Sequence, residues 1–204
     1  ELGCGACPVA AFVCLGMGCD VIMSDRPGVL RLTETNLRLN YASLEASRLE
    51  FGRGGLTAGL SRTNCDTVSF EWGSTLPQTL TDRQPFNLIL CADCIWYPQG
   101  HAALSATLAA IISDSEEAGA EPRCVLAFTQ RSSPDEKQIE SDFLLEALPR
   151  AGLTASAPLD IEESLADLPV ESSDHGAAAT SARQPSREDF ASRLVLVDIS
   201  LSSH

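Results

Sequence analysis

Positive charge is scarce in this 204-residue chain: 14 Lys and Arg stand against 28 Asp and Glu, a formal net charge of -14. Nucleic-acid phosphates and anionic bilayers both need clustered cations, so neither is an expected partner. Long apolar runs are missing as well. None approaches the roughly 18 to 20 residues of a membrane span, and no basic stretch leading into an apolar one opens the chain as a secretory signal would. Histidine numbers three; His101 and His175 have no helical partner at ligand spacing. With no Ser-His-Asp set and no Gly-x-Ser-x-Gly elbow, hydrolase chemistry has no support. The eight cysteines fall short of the density of a small disulfide scaffold, and Cys14, Cys91 and Cys124 sit in apolar runs where a thiol packs as a small hydrophobe. A reducing compartment follows, cytoplasmic or nuclear.

What is present suits a folded domain of enzyme size. Hydrophobic residues make up 44% and charged residues 21%, close to globular averages, and the length suits one domain over residues 1–204. The acid is unevenly spread: residues 1–100 hold 10 Asp and Glu, residues 101–204 hold 18. Residues 162–189, rich in Ser, Ala, Asp and Glu and nearly free of aromatics, read as a mobile acidic insertion. Because it opens on Glu1-Leu-Gly without an initiator Met, the chain reads as a fragment or a processed product.

Periodicity gives alternating elements. Residues 8–18, small and apolar with Pro at the start and Gly at the end, predict a buried helix. Residues 20–25 predict a strand, 27–41 a helix with apolar positions at helical spacing, and 45–64 a loop. Strands are expected at 67–72, 86–92 and 123–129, the last two being continuous apolar runs suited to a parallel sheet covered on both faces. Helices are expected at 101–113 and 135–148. The weak strand 153–161 and the strong strand 194–201 are expected to pair at the sheet edge. The order predicts a doubly wound, mostly parallel α/β sheet, with its ligand beyond the carboxyl ends of the strands at the switch point.

Glu1-Leu-Gly3-Cys4-Gly5-Ala-Cys7-Pro8 is a glycine turn leading into a helix, where absent side chains let a ligand approach backbone N–H groups. Asp25 follows 20 residues after Gly5 at the end of the next strand, about the offset of an acid that holds a ribose diol. A tight turn with a helix-capping Asp is the plain alternative. A dinucleotide site is another, although Pro8 stands where its third glycine belongs. Two Cys-x-x-Cys pairs, Cys4/Cys7 and Cys91/Cys94, carry zinc-ligand spacing, but a metal there would displace the ligand of the glycine turn, so no metal site is expected.

Four segments in register are similar to the seven-strand, S-adenosylmethionine-dependent methyltransferases of lysine methyltransferase family 16. They are Glu1-Leu-Gly-Cys-Gly5, Val21-Ile-Met-Ser-Asp25, Phe70-Glu-Trp72-Gly and Phe86 through Ala92-Asp93-Cys-Ile-Trp96, and the likeness covers about residues 1–130. It implies a Rossmann-like sheet with S-adenosyl-L-methionine as cofactor. Gly3, Cys4 and Gly5 would lie against its methionine part, Glu1 near its ammonium, Asp25 at the ribose, Trp72 beside the adenine and Ala92 along its border. Asp93 would face the methyl group and the incoming amine, and a carboxylate at the end of a buried strand is otherwise costly to bury alone. Trp96 and Tyr97 would bracket the amine through cation–π contact.

Three departures stand out. Trp96 followed by Tyr97 replaces the usual Tyr, Cys7 replaces a common Gly, and the first strand, central in the family, is largely missing. The expected activity is transfer of a methyl group to a lysine of a basic acceptor protein. A different acceptor (histidine, arginine or a small molecule) and an inactive binding module of the same fold are the rivals.

Overall fold

The computed structural model describes residues 1–52, 65–130, 133–157, 159–160 and 193–202. Helix α1 (Val9–Gly16) begins directly after Pro8. It does not bury itself all round as expected. Ala11 and Leu15 are sunk against its neighbours, whereas Val9, Val13 and Met17, four residues apart, are exposed. Apolar composition on every face does not supply a neighbour for every face, and among the described residues α1 packs chiefly on β1 and α2.

Strand β1 (Val21–Asp25) leads into α2 (Pro27–Gly52), which runs well past the predicted end at Tyr41. The expected loop from residue 45 is thus wrong for residues 45–52. Glu45-Ala-Ser-Arg-Leu-Glu is strong helix-forming sequence, and glycine enters only at Gly52. Residues 53–64, the rest of that loop, lie outside the described residues, as does the acidic segment 162–189. Strand β2 (Cys65–Ser69) pairs parallel with β1, Val21 opposite Cys65 and Asp25 opposite Ser69. Phe70 and Trp72, expected within this strand, come after it.

A short helix, α3 (Gln78–Thr81), precedes β3 (Leu88–Ala92), and a single turn at Pro98–Gly100 precedes α4 (His101–Glu117). Leu104, Leu108, Ile111 and Ile112 form the buried stripe of α4 at helical spacing. Strand β4 (Arg123–Gln130) pairs parallel with β3, Leu88 opposite Arg123. Along both strands burial alternates: Ile89, Cys91, Cys124, Leu126 and Phe128 are buried, while Leu88 is exposed. Full cover on both faces, expected from the apolar runs, is therefore not reached.

Helix α5 (Pro134–Asp142) is capped by Ser133, whose Oγ accepts from the Glu136 N–H at 3.3 Å and donates to the Glu136 carboxylate at 2.6 Å. It widens into a π turn at Phe143–Ala147 and closes as α6 (Leu148–Arg150). Pro149, which lacks an N–H and crowds the carbonyl four residues back, accounts for the widening there.

Strands β5 (Leu153–Ala155) and β6 (Leu159–Asp160) both pair antiparallel with β7 (Arg193–Leu201), the expected pairing split in two. β7 is not an edge strand. It lies antiparallel along β4, between β4 and β5.

The result is an α/β fold with a mostly parallel sheet. Between β1 and β3 the only described residue in the sheet is Leu2, with parallel bridges to Ser24 on one side and Cys91 on the other. The Leu2 N–H donates to Leu90 O at 2.9 Å, and the Ser24 N–H donates to Glu1 O at 2.9 Å. Below Leu2, toward the amino ends of β1 and β3, lies a cavity of about 470 Å³ bordered by Val21, Ile22, Leu88, Leu90 and Ile111. The main core packs β3, β4 and β7 against α4 and the π turn, and a second cluster joins Ala11, Leu15, Val21, Met23 and Leu30.

Candidate functional site

Of the proposed site residues, Gly3, Cys4, Gly5, Asp25, Trp72, Ala92, Asp93, Trp96 and Tyr97 lie at or beyond the carboxyl ends of β2, β1, Leu2 and β3, the edge where doubly wound sheets bind ligands, whereas Glu1 precedes Leu2. The glycine turn holds φ +63° at Gly3 and +66° at Gly5. At Gly3 a second constraint applies: a Cβ there would stand 2.8 Å from a Trp72 ring carbon and 3.0 Å from Cys94 Sγ. At Gly5 nothing stands within 4 Å of that position. One glycine is thus demanded by neighbours, and the other opens onto free space.

The turn is held from β1 and α2. Asp25 Oδ2 accepts the Gly5 N–H at 2.9 Å, and Oδ1 accepts the Arg26 N–H at 2.7 Å. Thr33, wholly buried, donates to Gly5 O at 2.7 Å, and Asn36 donates to Ala6 O at 2.8 Å. The Cys4 N–H donates to Ser24 O at 3.1 Å. Glu1 directs its carboxylate to the Ala11 N–H of α1 at 2.9 Å. Burial raises its pKa above the ordinary carboxylate value.

Beyond β2, the Phe70 N–H donates to Asp25 O at 3.0 Å, and the Gly73 N–H donates to Thr107 Oγ1 of α4 at 2.9 Å. These bonds set Trp72 over Gly3, with its six-membered ring near Gly100. At the end of β3, Ala92 is exposed, and Asp93 takes φ +52°, the one positive value at a non-glycine among the described residues. Asp tolerates this left-handed conformation better than most side chains, and such strain tends to gather at functional positions. The Asp93 N–H donates to Ala127 O at 2.8 Å. Asp93 itself is exposed, so the penalty expected for a buried carboxylate does not apply. The strand ends just before it, and the left-handed turn carries it to the surface. Trp96 and Tyr97 are exposed too, with ring centroids 5.6 Å apart and planes tilted by 47°.

The expected residues therefore fall into two groups. Glu1, Gly3, Cys4, Gly5, Asp25 and Trp72 surround the glycine turn, and Ala92, Asp93, Trp96 and Tyr97 follow β3. Cys94 joins them, its Sγ donating to Leu2 O at 3.3 Å beside Gly3. Sequence reading missed Thr33, Asn36, His101 and Thr107. Thr33 was legible in part: a hydroxyl among the apolar positions of α2 must find an acceptor when buried.

Burial pushes the Cys4 thiol pKa up to about 11 and that of Cys124 up to about 12. The adjacent Cys91 thiol, together with burial, raises Cys94 well above the ordinary thiol range. Among the described residues no three His, Cys, Asp or Glu side chains come together as a metal site. No described helix is long and apolar enough to cross a membrane.

The site suits the cofactor implied by the motifs. The open space at Gly5 leaves room for a ligand against the turn, and Asp25 and Trp72 flank it from neighbouring strand ends. Sheet, turn and strand-end acid together accord with the methyltransferase fold class. The mitomycin 7-O-methyltransferase MmcR is similar to this chain at TM-score 0.50 and 12% identity, covering 98% of this chain and 48% of MmcR. A putative methyltransferase from Thermoplasma acidophilum gives 0.45 at 10% identity over 100% of this chain and 66% of that one. A SAM-dependent methyltransferase from Methanosarcina mazei gives 0.45 at 9%, over 98% and 90%. Identities this low speak of fold alone, and the chain spans about half the length of MmcR. No curated protein matches the sequence. The profile of the lysine methyltransferase family matches residues 1–147, and the chain belongs to that family.

Proposed function

We propose that this chain is an S-adenosylmethionine-dependent methyltransferase that modifies a lysine side chain on another protein. The observation that carries the reading is the Asp25 carboxylate bonded to the Gly5 N–H at 2.9 Å, which joins the strand-end acid to the glycine turn. When bound, the cofactor supplies an electrophilic methyl group on a sulfonium. The chain's part is alignment and proton control. Asp25 has lone pairs left for ribose hydroxyls, the turn at Gly5 admits the methionine portion, and Trp72 offers a ring to the adenine. Asp93 orients the acceptor amine and favours its approach as a cation. Trp96 and Tyr97 give that cation exposed aromatic faces before it loses its proton. An acidic chain suits a basic, lysine-presenting partner. Its eight free thiols suit the cytoplasm or nucleus.

Calorimetry with S-adenosylmethionine and transfer of its tritiated methyl group into the proteins of a cell extract test the reading. Asp93→Asn is expected to keep cofactor affinity within about threefold and to lower transfer by about 100-fold or more. Undiminished transfer removes Asp93 from the reaction. Cofactor binding without any transfer favours the inactive binding module, and methyl label recovered on histidine or arginine names a different acceptor.

A further inference from the structure

The family assignment leaves His101 without a task, yet its surroundings are specific. It is the first residue of α4 and is 6% exposed. Its Nε2 lies 2.8 Å from Ile95 O. A carbonyl only accepts, so Nε2 carries the proton and donates. The same ring meets Phe143 edge-on, with centroids 5.1 Å apart and planes at 70°. Phe143, wholly buried, opens the π turn that continues α5.

The first contact reaches one wall of a small recess beside Asp93, and the second reaches the π turn that continues the helix forming the other wall. Asp93, Ile95 and Trp96 line it from the loop after β3, and Glu136, Ile139 and Glu140 line it from α5. We infer that His101 is a positioning residue for the acceptor side of the site, tying the loop through Ile95 O to the π turn that continues α5 through Phe143; this rests on the methyltransferase reading above.

The loop needs such a tie. Its start is strained at Asp93, and its aromatic tip, Trp96 and Tyr97, is exposed and gains little hold from packing. The Asp93 N–H and Cys94 Sγ anchor the first half, to Ala127 O and Leu2 O. Beyond them the His101 bond fixes the backbone next to Trp96. Ile95 is 2% exposed, so removal of the donor leaves a buried carbonyl unsatisfied and favours a shifted loop. Displacement of Asp93 and Trp96 by a fraction of an ångström degrades alignment of an incoming amine without touching the cofactor side.

Three variants separate donor from ring. H101F keeps an aromatic edge against Phe143 and loses the donor. H101N, with an amide too short for Ile95 O, loses the donor by a second route. H101Q keeps a donor at the Nε2 position and loses the ring. Hydrogen exchange on the full chain without cofactor is expected to quicken about 5- to 10-fold over residues 94–97 in H101F and H101N, with α4 and β4 within about twofold, and to return toward wild type in H101Q. Tritiated methyl transfer into extract proteins falls in the same order, at cofactor affinity within about twofold. Unchanged exchange over residues 94–97 overturns the inference. So does acceleration spread evenly over α4 and β4, or an H101Q as impaired as H101F. Failure of the methyltransferase reading looks different: wild-type protein neither binds S-adenosylmethionine nor labels any extract protein, while exchange still reports on the tie.

Discussion

Gly3 and Gly5 differ by two positions and by 3° in φ, +63° against +66°, yet replacement by alanine should affect them unequally. Any L-residue in this conformation costs about 1 to 2 kcal/mol, and that cost is common to both. The unfolded chain's loss of freedom on gaining a methyl group, about 0.4 to 1 kcal/mol in the variants' favour, is also common. Only at Gly3 does the new methyl meet atoms, a Trp72 ring carbon at 2.8 Å and Cys94 Sγ at 3.0 Å. The ring is held through Gly73 and Thr107 and cannot swing aside freely. Overpacking of this kind costs about 1 to 3 kcal/mol. Urea unfolding followed by far-ultraviolet circular dichroism should place Gly3→Ala about 1 to 3 kcal/mol below Gly5→Ala. Trp72→Phe, which removes the clashing carbon, should restore part of the loss in a double-mutant cycle. Gly5→Ala loses only the net backbone cost and should bind S-adenosylmethionine more weakly, because its methyl enters the open space at the turn. Equal unfolding free energies for the two variants would refute the close approach of Trp72 to Gly3.

Asp25→Ala should weaken S-adenosylmethionine binding by about 1.5 to 3 kcal/mol, the scale of hydrogen bonds to a charged group, and unchanged affinity by calorimetry removes Asp25 from the site. Thr33→Val, which deletes the 2.7 Å bond to Gly5 O, should lower stability by about 1 to 3 kcal/mol and loosen the turn; a neutral result means that Gly5 O is satisfied another way. At pH 8 a maleimide should label exposed Cys7 and Cys19 early, and Cys4 and Cys124 only in urea. Burial holds the latter pair at about 11 and about 12. A raised thiol pKa favours the protonated folded state, so stability should fall as pH climbs from the ordinary thiol range toward those values. Early labelling of Cys124 contradicts its burial.

The sequence was readable where local chemistry and tertiary structure agreed. Proline and glycine bracketed α1, Ser133 and Pro134 opened α5, and the apolar runs of β3 and β4 lay where periodicity put them. It misled where the outcome hung on a neighbour. The exposed stripe of α1 and the half-covered faces of β3 and β4 depend on which elements pack there, and spacing along the chain carries no such information. The length of α2 was a propensity error, because isolated glycines beyond Gly52 drew the predicted loop too far back. At the site, Gly5 and Asp25 stood at a telling separation and meet in one hydrogen bond. His101 gave no signal, since its partners, Ile95 O and Phe143, lie 6 and 42 residues away in sequence and share no pattern with it.

Leu2 lies between two leaves of the described sheet, bridged to Ser24 on one side and Cys91 on the other. On one leaf lie β1 and β2 with Asp25, and on the other β3, β4 and β7 with Asp93. The leaves are stitched by the backbone bonds of residues 1, 2 and 4, by Cys94 Sγ on Leu2 O and by Trp72 against Gly3. A ligand reaching from Asp25 to the rim of β3, as proposed for the cofactor, would touch both leaves. Its binding energy becomes mechanical: a cofactor at 100 times its dissociation constant adds about 2.7 kcal/mol against the leaves parting. Substitutions that shift one leaf against the other should therefore register as a loss of cofactor affinity as well as of stability.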